Sequence, residues 1–393
     1  MNAGTTGLKN MLLQGILLTF WWFAQEADTP KLIEQLGDTD PAIRTLAESS
    51  LRKLGETALP ALLKASQNSD QEQAQRAATL ADEIDFRLRG RIVYWRREGG
   101  ELEANLLNPG TGQVRTIFKA PNRGALQGAI QLHFCWVPGR EVLVILSEHP
   151  TRNDWTALLG WVVRLREGRT EAISGDLGEL RTLSCPGACS PTGHEVVFTS
   201  ASRHLEVLDV DQMTRRRLQT PEGTPEWGTW SQDGTKLAFN RVGNGAYIVA
   251  FDGGRVESVS EKPLVEACFT RAGDALIGLL HDERRQAHDL VRISLAGREV
   301  SVLRRDVTWE RPAISPDGKR LVYGREKGDN LPEIVVMNLD GSEEFVIGKG
   351  TGANWSPDGS NLVFERKQHI FLANLMNKTE KELGEGKFPT WSR

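Results

Sequence analysis

The sequence predicts a mainly β protein: a seven-bladed β-propeller preceded by a small α-helical segment, with six and eight as the alternative blade counts. Three observations carry that expectation. Turn signals recur at Ser190 (SPTG), Ser231 (SQDG), Thr270 (TRAG), Ser315 (SPDG) and Ser356 (SPDG), at intervals of 41, 39, 45 and 41 residues; a four-stranded antiparallel blade takes about 40 to 45. Each signal is followed by an apolar strand, as in KLAFNR, RLVYGR and NLVFER. The chain ends on FPTWSR, Phe388–Arg393, which opens such a unit without completing it.

Composition agrees. With 393 residues, 39% hydrophobic and 25% charged, the chain can build one large or two moderate cores. Its 39 glycines and 11 tryptophans suit turn-dense β structure with aromatic packing. A net charge of -4 offers no basic field for phosphates and counts against nucleic acid as partner. Arg215–Arg217 reads as a solvated strand face.

Residues 1–27 read as a signal peptide or N-terminal membrane anchor. MLLQGILLTFWWFA, Met11–Ala24, is an apolar run of 14 residues with Lys9 ahead and the acidic pair Glu26 and Asp28 behind, the layout of a secretory signal. It is short for a membrane span of about 20 residues. Cleavage after Ala24 would put the bulky Trp22 at the -3 position, so an uncleaved anchor stays open, as does a buried helix.

Residues 28–88 are predicted helical, because Ile43, Ala47, Leu51 and Leu54 recur at helical spacing. PKLIEQLGDTD (Pro30–Asp40) and PALLKASQNSD (Pro60–Asp70) align at an offset of 30 residues. Asp40 and Asp70 fall at N-caps, and Pro41 follows at the helix position that tolerates proline best. DPAIRTLAESSLRKLG resembles the HEAT repeat family, with Asp40, Ile43, Arg44, Ala47, Leu51 and Gly55 on motif positions. The second copy keeps Asp70 and Ala77 but lacks the arginine and the β-branched residue. Two repeats are fewer than a solenoid needs alone, so the segment is expected to lean on another domain.

Residues 89–393 make up the propeller. In the Pro-Asp-Gly turn, proline fixes φ, aspartate bonds nearby backbone and glycine accepts positive φ; the aspartates therefore read as turn chemistry. A second signature follows each unit (HLEVLDVDQ, AYIVAFDGG, DLVRISLAG, EIVVMNLDG, HIFLANLMN), then a last polar strand such as REVSVLRRD. Units open near Leu132, Leu183, Trp227, Val265, Trp309 and Gly352. Arg91–Ala120 supplies the second to fourth strands of a unit with no first strand. FPTWSR, residues 388–393, supplies it and closes the ring, leaving no open sheet edge at the seam.

The W-S-P-D-G hairpin, the I-x-V-x-x-x-D-G strand and the circular closure resemble the WD-like propeller repeats of the TolB family over residues 90 to 393. The resemblance implies a propeller platform and, by analogy with that family, a periplasmic envelope protein that binds partner proteins. The chain departs from the family in its helical segment and its seventh blade.

Chemical motifs are sparse. The sequence contains no G-x-S-x-G, H-E-x-x-H or G-x-x-x-x-G-K-[ST], and GKGTG (Gly348–Gly352) joins two strands as a linker. CPGAC with His194 and His204 could be read as a zinc site, but Cys189 occupies the tryptophan position of a blade hairpin, which favours a buried thiol or a disulfide. Cys135, Cys185, Cys189 and Cys268 are compatible with a bridge between the second and third blades or with four reduced thiols. No catalytic, cofactor or metal residue is assigned. EHPTRNDWTALLGW, Glu148–Trp161, reads as a long insertion of the second blade with Trp155 as candidate anchor for a partner.

The expected function is an exported, non-enzymatic scaffold that binds a protein or cell-envelope ligand. The alternative is a hydrolase or lyase in the central channel, marked by three or four carboxylates and histidines converging at one mouth. Cell fractionation should find the protein outside the cytoplasm, cleaved near Ala24 or held by Met11–Ala24; a soluble cytoplasmic protein with an intact N-terminus would refute the export reading.

Overall fold

The computed structural model of the chain describes residues 29–120, 131–150, 156–173, 179–180, 188–200, 204–241, 245–252, 254–326, 328 and 331–392. The run Met11–Ala24, Trp155 and Cys185 lie outside the described residues. The chain divides between Arg89 and Gly90 into two compact units. Among the described residues no helix is long and apolar enough to cross a membrane, which says nothing of spans made by strands.

Among its described residues the first unit holds the α-helices α1 (residues 29–35), α2 (Pro41–Leu54), α3 (Leu59–Ala65) and α4 (Gln71–Arg89), with a 3-10 turn, Gly55–Ala58, between α2 and α3. Asp40 caps α2 by accepting from the Ala42 amide at 2.8 Å, and Asp70 does the same for the Gln73 amide at 3.0 Å. Each carboxylate satisfies a donor that a helix start leaves without an intrahelical partner. The apolar stripes meet in one core of Leu36, Ala47, Leu51, Leu62, Ala77 and Ile84. Arg52 closes on Glu83 at 3.1 Å, and the Gln73 side chain donates to the Ile33 carbonyl at 2.8 Å.

In the second unit the described strands are antiparallel and form six hydrogen-bonded sheets. Five run in chain order. They start from the inner strands Gln131–Trp136, Ala188–Cys189, Pro225–Trp230, Val265–Phe269 and Thr351–Trp355. The sheet that begins at Val265 has eight strands; its halves join at the single pair Val307↔Arg325, and a short inner strand, Ala313–Ile314, starts the second half. The remaining sheet takes its inner strand from the far end of the chain. Lys387–Trp391 pairs with Ile92–Glu98, Ile92 opposite Trp391 and Val93 opposite Thr390.

The core of this unit lies in the seams between sheets. Val144 and Val162 pack against Val196, Phe198 and Leu208; Val322 and Val336 pack against Trp355 and Phe364; Ile370 and Val363 pack against Ile92, Tyr94 and Trp391. Central strands are covered on both faces, so they read as continuous apolar runs with little alternation. At three of the turns one device repeats. The Ser231 hydroxyl donates to Asp233 at 2.6 Å and accepts from the Lys236 amide at 2.9 Å, while Asp233 accepts from the Thr235 amide at 3.0 Å. Ser315 with Asp317 and Ser356 with Asp358 repeat it at 2.6 Å, and Gly234, Gly318 and Gly359 take φ of 71°, 76° and 70°. The Ser231 hydroxyl and the Thr235 amide hold Asp233 down to about 2.

Two sequence expectations differ from the structure. Glu148–Trp161 is largely paired strand: Glu148–Pro150 ends Val142–Pro150, and Thr156–Trp161 opens Thr156–Arg164, in register from Pro150↔Thr156 to Ile145↔Trp161. What reads as an insertion is the continuation of two long strands, whose ladder extends as far as Pro150. Trp309, expected to open an inner strand, stands outside any strand and is 50% exposed; Pro312 cannot donate to the ladder.

Deleting Phe388–Arg393 should lower the melting temperature far more than trimming a loose tail. Trp391 is 3% exposed, and Ser392 exchanges hydrogen bonds with Arg91 at 2.8 Å each way. Trp391→Ala alone should cost about 3–5 kcal/mol. An unchanged thermal melt would disprove the structural role of this strand.

A charged and aromatic mouth at the ring of inner strands

Indole and sulfur links lace the inner strands together. Trp355 Nε1 donates to the Ala313 carbonyl of the preceding inner strand at 2.8 Å, and Trp136 Nε1 donates to that of Thr390 at 3.3 Å. Cys189 holds the place of these tryptophans, directly before its turn serine, and it forms a disulfide with Cys135 of the preceding inner strand. A covalent bond there does what an indole does elsewhere. Cys268 makes a weaker link, its thiol 3.7 Å from the Pro312 carbonyl.

The inner strands that start at Val265, Thr351 and Lys387 bulge three residues upstream of the residue before the turn. Pairing slips between Val265 and Cys268, between Thr351 and Asn354, and opposite the span Lys387 to Thr390. The residues at this position, Glu266, Gly352 and Phe388, have φ of 52°, 64° and 49°. Glycine takes this pose freely, whereas other residues bear about 1–2 kcal/mol of strain. Two strained residues at equivalent positions point to a site, since bulges re-aim side chains and functional sites hold such strain.

Charge gathers around this bulged end. Arg311 Nη2 lies 3.4 Å from Thr229 Oγ1 and 3.5 Å from the Ala267 carbonyl, so it reaches two neighbouring inner strands. Burial raises the Glu266 carboxyl above its ordinary range, partly offset by the charge of Arg311. Burial pushes Glu310 up to about 7; a hydrogen bond from the Gly352 amide at 3.0 Å opposes the shift and repulsion from Glu365 adds to it. Glu365 accepts from the Phe388 amide at 3.2 Å. Phe388, 46% exposed, stacks on Trp95 at 6.1 Å, and the Lys387 ammonium sits 5.5 Å from the same indole. Trp309 meets His288 edge-on at 4.6 Å. Burial, then the neighbouring His281, lowers His288.

The arrangement offers a guanidinium, a carboxyl able to exchange a proton near neutrality, and two exposed aromatic planes. Among the described residues no group of three or more His, Cys, Asp or Glu is placed to hold a metal. His194 bonds Asp211 at 2.8 Å, and Cys189 is committed to its disulfide. Sequence reasoning missed Glu266, Glu310, Arg311 and Phe388 as site residues because they come from three different repeats. The signal that could have found them is the position three or four residues before the turn tryptophan, where aligned repeats carry Glu, Arg, Gly, Phe and Lys in place of one shared apolar type.

Closed seams, serine-aspartate turns and a ring of inner strands define a β-propeller. No family model matches the chain, and no curated protein matches it. Among solved structures the chain is similar to an oligogalacturonate lyase in complex with manganese, at 13% identity and a TM-score of 0.53 over 75% of this chain and 84% of that one. It is also similar to TolB from Acinetobacter baumannii, at 17% identity and a TM-score of 0.49 over 82% and 73%. A third is a putative TolB from Agrobacterium tumefaciens, at 16% identity and 0.44 over 56% and 88%. At these identities the likeness is one of fold.

Glu310 gives the mouth a pH dependence. With a folded value near 7 against about 4.3 unfolded, the folded state holds this proton more tightly. The resulting stabilisation is complete below about pH 4 and is lost as pH rises through 7. Glu310→Gln keeps an acceptor for the Gly352 amide and removes the titration. Its stability relative to wild type should improve by about 1–3 kcal/mol from pH 5 to pH 8. Denaturation at the two pH values measures this, and parallel profiles for the two proteins would show that Glu310 ionises normally.

Proposed function

We propose that the protein is an exported, non-enzymatic scaffold that binds a protein or cell-envelope ligand at the mouth formed by Glu266, Glu310, Arg311 and Phe388. The observation that carries this reading is that Glu266 and the exposed Phe388 are held on strained backbone at equivalent positions of the ring, with Glu310 and Arg311 beside them. Rigid frames that display such groups suit recognition. The eight-stranded sheet is read as two blades, which gives seven. The Cys135–Cys189 disulfide supports an oxidising compartment, in line with the signal-like run Met11–Ala24. The helices before the ring are read as a HEAT-like second surface, and Trp155, between the paired residues Pro150 and Thr156, as a second anchor.

A second reading is favoured by one observation. A carboxyl titrating near neutrality is what a general acid or base requires, so Glu310 is the residue on which a channel hydrolase or lyase would depend, and a lyase shares this fold. Pull-down from envelope extract with wild type, Arg311→Glu and Trp155→Ala, alongside a screen of hydrolase and lyase substrates, separates the two. The scaffold reading expects a specific protein that wild type retains and Arg311→Glu loses. Turnover that Glu310→Gln abolishes would replace it with an enzyme. Retention by Trp155→Ala would remove that residue alone.

A further inference from the structure

We infer that a hollow of about 120 Å³ walled by Leu280, Val291, Val300 and Val302, with Asp289 among them, binds a small aliphatic ammonium ligand. The strand register builds it. Leu280 pairs opposite Asp289, and Val291 opposite Val302, so these side chains share one face of the sheet. An acid thus stands in an aliphatic row. Asp289 is 8% exposed. Its Oδ2 is held by Arg285 at 2.6 Å, while its Oδ1 is buried without a hydrogen-bond partner among the described residues.

A buried carboxylate oxygen with no donor is a costly state that an entering donor relieves. A cationic donor relieves it best, because charge-assisted hydrogen bonds are the stronger kind. The local balance favours a cation as well, since Arg285 is shared among Asp282, Asp289 and Asp306 and Asp282 lines the same hollow. Lys262 on the rim weighs against a second positive charge on the ligand. The volume is about four times the share of one water in the liquid, enough for a short alkyl chain, and the aliphatic walls would cover it. Val300 and Val302 are 50% and 47% exposed, which puts the entrance on the outer strand.

The test uses the full-length protein with labelled valine and leucine methyl groups, titrated with n-butylammonium, n-butanol and n-butanoate. Butylammonium should shift the methyls of Leu280, Val291, Val300 and Val302 in a saturable way, and butanoate should leave them in place. Asp289→Asn keeps the shape and removes the charge, and it should weaken butylammonium at least tenfold. Val302→Phe fills the hollow from its exposed side and should abolish the shifts, which keeps the test decisive should Asp289→Asn not fold. Methyls unmoved by butylammonium, equal shifts with butanol or butanoate, or undiminished binding by Asp289→Asn would overturn the site.

Discussion

The second unit depends on one strand that arrives last. Lys387–Trp391 completes the sheet that Ile92–Glu98 begins, so the first and last residues of the ring must meet before any seam between them can close. Trp391 then fills the cluster with Ile92, Tyr94, Val363 and Ile370, and Trp136 of the following sheet bonds back to the Thr390 carbonyl. A chain without this contact would have a bare edge on the first sheet and a half-covered apolar face on the last. Contacts this distant in sequence carry a large entropic cost before they are rewarded, and the seams supply the reward by excluding water from both faces of the central strands.

The frame between seams is polar and repetitive. Each serine-aspartate turn satisfies its own buried backbone groups, and an arginine from one hairpin often reaches the carbonyl of the next turn. Arg140 bonds Gly193 at 3.0 Å, Arg320 bonds Gly359 at 2.9 Å, and Arg271 bonds Pro316. The apolar seams hold the sheets together, and these rim contacts index one against the next.

Much of this was legible because it is local chemistry that repeats. The S-x-D-G spacing, the apolar run behind it and the truncated terminal copy are each visible in a few residues, and Asp40 and Asp70 announce their helices in the same way. What stayed hidden depends on tertiary placement. The cysteine pattern left a bridge and reduced thiols equally open, and only the juxtaposition of Cys135 with Cys189 decides the pair. The segment at Glu148 reads as an insertion, and its pairing with Thr156–Trp161 shows only in the folded hairpin. Glu310 and Arg311 sit beside a proline in a repeat whose inner strand is only Ala313–Ile314, so nothing in their neighbourhood marks them as more than linker.

The bulge at Glu266, Gly352 and Phe388 has a bearing on how such a ring can change. An acid, a glycine and an aromatic occupy one backbone pose, so the pose is imposed by the surrounding sheet and tolerates side chains of unrelated type. The position behaves as a socket whose strain is carried by the frame whichever residue is plugged in. A lineage built on this ring could therefore exchange what it recognises one socket at a time, with folding left to the seams.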